Sequence, residues 1–194
     1  MSIPLRLTAL VSGSGTLLQA LLDNQDKNYT VDLVVSDREC PALDRARAVG
    51  VKTAVVPMRE NRASWDEELA NAVGKPDLIV SAGFMKILGS SFVQKFNGRL
   101  INTHPALLPA FPGAHAVRDA LEYGVKVTGS TVHYVDEGVD TGPIIAQRAV
   151  KIHAGEGESA LHERIKQVER ELLVALLRSA TVDDASSEVV FHHD

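Results

Sequence analysis

A chain of 194 residues, 20.9 kDa and 45% hydrophobic has the size and apolar content of one folded domain, which excludes global disorder. The net charge of −5 argues against nonspecific nucleic-acid binding, which needs a basic face, but leaves anionic small substrates open because a local pocket can oppose the global sign. The lone Cys40 makes no internal disulfide, no Cys/His spacing suits zinc, and no apolar run nears the ~20 residues of a membrane span; with no signal core around Arg6, a cytoplasmic protein is expected.

Leu5 to Val11 reads as a buried strand that runs into Ser12-Gly13-Ser14-Gly15-Thr16 and then a helical apolar face from Leu17 to Leu22. Val31 to Val35 is a second strand, Pro41 to Val49 a helix stopped by Gly50, and Val51 to Val56 a third strand. Ser64, with Glu67 three residues on, predicts an N-cap for a helix that reaches about Val73 before Gly74 and Pro76. Asp77 to Ala82 is a fourth strand, Ser90 to Phe96 a short helix, and Arg99 to Thr103 a fifth strand with His104 just beyond it. This alternation predicts an α/β fold: an open, mostly parallel twisted sheet with helices on both faces. Ligands in such folds sit outside the carboxyl ends of the strands, where both Gly15 and His104 fall.

The second half changes character. Pro105, Pro109, Pro112 and Gly113 mark an irregular loop, followed by a helix over 114–122. Lys126 to Val135 and Pro143 to Ile152 read as strands close enough to pair antiparallel. Ser159 to about Ser179 is a long terminal helix with Leu161, Ile165, Val168, Leu172 and Leu176 on one stripe. The tail over 181–194 carries Val189, Val190 and Phe191 and either frays or adds one edge strand. No repeat or linker divides the chain, so 1–194 reads as a single domain, with an N-terminal half to about 100 and a C-terminal half to about 180.

Three constellations carry chemistry. The Ser-Gly-Ser-Gly-Thr turn offers backbone N–H groups at a helix start to a phosphate, or is simply a tight turn. Leu18 stands where a dinucleotide loop needs a third glycine, which disfavours a nicotinamide cofactor. Asn102 and His104 share one side of a strand end, and Asp140 lies in the Gly-flanked loop Asp136 to Gly142. Taken singly each is a buried polar residue or a turn residue. Together an amide, an imidazole and a carboxylate can hold an oxyanion, keep the imidazole charged and move a proton, which suits acyl transfer. His115 and His133 are lesser polar candidates. Ser81 to Leu88 either lines a slot for a flat ring or packs in the core, and Arg62 can meet a ligand carboxylate.

Gly83-Phe84-Met85-Lys86-Ile87-Leu88, Asn102-Thr103-His104-Pro105-Ala106-Leu107-Leu108-Pro109 with Phe111-Pro112-Gly113, and Val139-Asp140-Thr141-Gly142-Pro143 occur in that order behind the Ser-Gly-Ser-Gly loop. Over roughly 5 to 178 the chain resembles the phosphoribosylglycinamide formyltransferases, Rossmann-like folate-dependent enzymes of purine synthesis. The resemblance implies formyl transfer from 10-formyltetrahydrofolate to the amine of glycinamide ribonucleotide, with no metal, nicotinamide, nucleic acid or membrane required, and leaves a homodimer open. It implies catalytic roles for Asn102, His104 and Asp140. Gly15, Thr16 and Leu17 would hold the substrate phosphate, and Lys166 and Glu169 would face the ribonucleotide. Arg62, Met85, Lys86, Ile87, Leu88 and Asn102 would bind folate. Two departures stand out: Leu17 replaces a frequent Asn, so any contact there is expected through its backbone N–H, and Lys86 replaces a frequent Arg, which is harmless if that contact is through the backbone. A related hydrolase would carry an extra N-terminal domain, for which no room is expected before Leu5; a formyltransferase acting on initiator tRNA would be longer, with a basic C-terminal domain. A nonenzymatic binding module would not need the trio.

Overall fold

The computed structural model describes residues 4–183 and 185–192; positions 184, 193 and 194 of the predicted tail lie outside the described residues. In chain order the first half forms β1 (Leu5–Val11), α1 (Thr16–Asn24), β2 (Tyr29–Ser36), α2 (Pro41–Ala48), β3 (Lys52–Val55), α3 (Arg62–Val73), β4 (Leu78–Ser81) and α4 (Ser90–Lys95). The second half adds β5 (Leu100–His104), α5 (Ala116–Tyr123), β6 (Val127–Tyr134), β7 (Ile144–Lys151) and α6 (Glu158–Ser179), then the short β8 (Thr181–Val182) and β9 (Val189–Val190). One sheet of seven strands runs β3-β2-β1-β4-β5-β6-β7. β1 to β5 are mutually parallel, and β6 and β7 run antiparallel, as the strand spacing predicted.

The near-continuous apolar run of β1 follows from its central place, with both faces covered. Leu7 and Ala9 pack with α1, α2 and α6 on one face, through Leu18, Leu43 and Leu173. Leu10 points the other way, into a cluster with Trp65 and Leu69 of α3 and Phe92 of α4. Trp65 is fully buried and its indole N–H donates to the Val56 carbonyl at 3.1 Å. Tyr29, also fully buried, donates its hydroxyl to the Leu21 carbonyl at 2.9 Å, and burial pushes its pKa up to about 12.

Several elements start or end one or two residues from the sequence reading, the helix read over 114–122 among them, which runs Ala116–Tyr123; three other differences concern the α3 cap, His104 and the tail. Helix α3 begins earlier: Asn61 is the N-cap, its side chain accepting from the Ser64 N–H at 3.1 Å, while Ser64 is the third helical residue. Two cap signals overlapped there, and the upstream one satisfies the Ser64 N–H and starts the helix three residues earlier. His104 is the last residue of β5, paired to Thr131, because β6 extends the ladder past the point where a parallel neighbour would stop. The tail does not join the main sheet: β8 and β9 pair with each other as a separate two-stranded sheet.

Candidate active site

Asn102 and His104 project from one face of β5, and antiparallel pairing with β6 sets His133 opposite Asn102 on that same face. Asp140 lies beyond β6, in the connection to β7, yet its carboxylate sits between the two rings. Oδ2 is 3.4 Å from His104 Nδ1, and Oδ1 is 3.7 Å from His133 Nε2. The connection therefore folds back across the sheet face. It is held there by polar contacts: the Gly113 N–H donates to Asp140 Oδ2 at 2.8 Å, and Gln94 donates to Glu137 at 2.7 Å. Asp136 Oδ1 accepts from the Gly138 N–H at 3.0 Å and the Thr141 hydroxyl at 2.7 Å. Asp140 has a left-handed backbone, φ 55°, which Asp tolerates better than most residues.

The ring of His104 is flanked by acceptors. Its Nε2–H donates to the Phe111 carbonyl at 2.7 Å, and Asp140 faces Nδ1. Both neighbours are acceptors, and the ring is held between them. His133 behaves differently. Its Nδ1–H donates to the Tyr134 carbonyl at 2.9 Å, and burial pushes the imidazole below its ordinary pKa against the opposing pull of that carbonyl and Asp140. Asn102 is half-buried, and its side chain makes no hydrogen bond among the described residues, which leaves amide donors for a ligand oxygen beside the histidine pair.

The loop after β1 is a preformed backbone site. Gly15 caps α1 at φ 73°, and a Cβ there would lie 2.6 Å from Ala42 Cβ, so packing against α2 demands glycine. The N–H groups of Thr16 and Leu17 precede the bond from Gln19 N to the Gly15 carbonyl and have no partner within the helix. The side chain of Leu17 is buried in the core. Arg45 donates to the Ser14 carbonyl at 2.8 Å and adds a cation beside the site.

The segment after β4 exposes what a flat ligand would cover: Met85 is 72% and Ile87 77% exposed, while Leu88 packs inward against the α3 cluster. Arg62 is brought to this segment, donating to the Ile87 carbonyl, with its guanidinium 4.8 Å over the Trp65 ring and 3.9 Å from Asp66. Asp66 also accepts the Gly89 N–H at 3.3 Å. The Lys86 amine points away toward Asp37, at 3.9 Å, which leaves its backbone for a ligand.

On the opposite face of β5, Glu169 of α6 reaches Thr103. Burial pushes its carboxyl above the ordinary range against the Thr103 hydroxyl and nearby cations. Lys166, one turn earlier, is paired with Glu163 at 2.9 Å and is not drawn to the trio. His115 starts α5 on the surface, outside the histidine–aspartate cluster.

Sequence reading alone missed the acceptor on His104, because it is a backbone carbonyl with no side-chain signature. It also missed Ser12, Asp37 and Asp66. The i, i+4 spacing of Arg62 and Asp66 was the available signal for the last.

Comparison with known proteins points one way. The sequence model of the family described as formyl transferase matches residues 5–177. Phosphoribosylglycinamide formyltransferase of Mycobacterium tuberculosis is 53% identical over 180 residues, which span 90% of this chain and 84% of that one. The Escherichia coli protein of the same name is 38% identical over 173 residues, 85% of this chain and 82% of its own length. The crystal structure of glycinamide ribonucleotide transformylase 1 from Symbiobacterium toebii superposes with a TM-score of 0.87 at 38% identity, covering 98% of this chain and 95% of that one.

Proposed function

This chain belongs to the formyl transferase family, and we propose that it moves the formyl group of 10-formyltetrahydrofolate to the amine of glycinamide ribonucleotide in purine synthesis. The observation that carries the mechanism is the Asp140 carboxylate lying 3.4 and 3.7 Å from two imidazoles beside the open amide of Asn102. The substrate nitrogen attacks the formyl carbon, forming the new C–N bond and a tetrahedral intermediate. Asn102 donates to its oxyanion, and His104 beside it adds positive potential at the same place when protonated. Asp140 takes the proton released by the attacking amine, directly or through water, and passes it to the folate nitrogen, which leaves as the old C–N bond breaks.

The ribonucleotide phosphate is assigned to the N–H groups of Gly15, Thr16 and Leu17, supported by the helix start and Arg45, and the ribose to Glu169 with Lys166 nearby. Folate is assigned to Met85, Lys86, Ile87 and Leu88, supported by the exposed apolar side chains and by Arg62, which secures the segment's backbone. We read the chain as one such domain, since a single sheet joins both halves. No described helix is long and apolar enough to cross a membrane, which accords with a cytoplasmic location. The outer strand β7 leaves an edge that a second copy could use, and a solution mass of twice 20.9 kDa would establish the dimer.

The test is to mix the protein with 10-formyltetrahydrofolate and follow tetrahydrofolate release with and without glycinamide ribonucleotide. Release only with the ribonucleotide is the expected result. Release without it would identify a hydrolase, and none in either case a binding protein or another acceptor. Asn102→Ala should lower kcat by roughly a hundredfold to a thousandfold, a barrier increase of ~3–4 kcal/mol, in a folded protein.

A further inference from the structure

We propose that Ser12 is a positioning residue that couples the ribonucleotide and folate subsites, so that filling one strengthens binding at the other. The inference rests on the two-substrate reading above. Ser12 is buried at the end of β1, three residues before the glycine that caps α1. Its Oγ accepts the N–H of Met85, 73 positions away, at 2.9 Å. That bond joins the phosphate loop to the first residue of the folate segment, across the boundary between β1 and β4.

Asp37, the first residue after β2, lies beside the Ser12 hydroxyl. Although burial raises the Asp37 carboxyl, Arg38 and the neighbouring Ser12 hydroxyl bring it below the ordinary range, so it is an anion. Oδ2 accepts from Arg38 at 2.8 and 3.1 Å and lies 3.9 Å from the Lys86 amine. Oδ1 is buried with no hydrogen-bond partner among the described residues. Asp37 thus places one negative charge at the junction, beside Ser12 of the loop and 3.9 Å from the Lys86 amine of the segment.

The loop transmits what happens at Ser12. The Gly13 carbonyl accepts the Ala42 N–H at 3.1 Å, and Gly15 is seated against Ala42 so closely that no Cβ fits. A shift of Met85 by more than a few tenths of an ångström stretches the bond to Ser12 past a normal length. A folate that fixes Met85 to Leu88 therefore fixes Ser12, and with it the loop whose N–H groups meet the phosphate. The second ligand then meets a site already ordered, which is positive cooperativity without a change of fold.

Isothermal titration calorimetry on the full chain tests this, with glycinamide ribonucleotide and tetrahydrofolate as the two probes. In the wild type, saturating tetrahydrofolate should tighten ribonucleotide binding by about fivefold or more, and the reverse experiment should return the same factor. Ser12→Ala should bring the factor to about one, while each binary Kd moves by no more than about threefold; a merely structural defect would weaken both ligands and leave the factor intact. Asp37→Asn keeps the Ser12 hydroxyl but removes the negative charge beside it and facing Lys86, and should give an intermediate factor. A wild-type factor near one, or a full wild-type factor in Ser12→Ala, overturns the proposal; if Ser12→Ala does not fold, a full factor in Asp37→Asn does so. Formyl transfer by the wild type is read separately. Its absence removes the functional reading, whereas transfer without coupling removes this inference alone.

Discussion

The two glycine-bearing loops of the cleft are built on opposite principles. The turn after β1 is shaped by backbone and packing: glycine is forced by the approach of Ala42, and the donors come from a helix start. The connection after β6 is shaped by side-chain chemistry. Asp136 gathers Gly138 and Thr141, and Asp140 is oriented by Gly113 and two imidazoles. A loop of the first kind binds well because it has little to reorganise. A loop of the second kind holds a reactive group at an angle that a simple turn would not supply, at the cost of a left-handed non-glycine residue.

If that contrast is right, substitutions in the two loops should fail in different ways. Asp140→Asn should reduce kcat by a hundredfold or more, a barrier rise of ~3 kcal/mol, with Tm nearly unchanged, because only the proton acceptor is lost. Loss of Tm in step with activity would mean that the carboxylate is mainly structural. Gly15→Ala should act in reverse. Strain at φ 73° and the clash with Ala42 should cost about 2–4 kcal/mol of stability, seen by denaturant unfolding, and Ala42→Gly should return only a fraction of it, because the Ala42 Cα would still lie 2.7 Å from the new Cβ. Asp136→Ala is a milder test of the second loop. Turnover should fall about tenfold as Asp140 loses its fixed orientation, while stability changes by about 1 kcal/mol.

The smallest effect is expected at His133. Its pKa is lowered in the folded state from an ordinary 6.5, so below pH 6.5 the unfolded chain binds the extra proton first. Stability is therefore full above that pH and declines as pH falls toward the folded-state value. His133→Gln should flatten the slope of Tm against pH in that window, and an unchanged slope would assign the dependence to another group.

The parallel half of the sheet was legible because its strands are short apolar runs punctuated by caps and glycines, a local signal. The trio was legible as residue types and as a resemblance, and the α3 start was off by one cap because Asn61 and Ser64 both fit the rule. What did not show was the partnering. Nothing in a linear pattern says that the Phe111 carbonyl meets His104, or that Met85 finds Ser12, since both bonds arise only when distant strands are laid side by side. His133 could be seen as a polar residue on a strand; its place opposite Asn102 depends on a register that only pairing defines.

The backbone of Asp140 also bears on how this protein can be improved. At φ 55°, glycine is the replacement that any screen for heat resistance should favour, because it relieves local strain without touching the core. It would also delete the one carboxylate that both imidazoles face. The Gly113 N–H, whose bond Asp140 now accepts, would be freed as well, so under the proposed mechanism a library sorted by melting behaviour alone trades a small backbone gain against turnover and needs a parallel sort for activity.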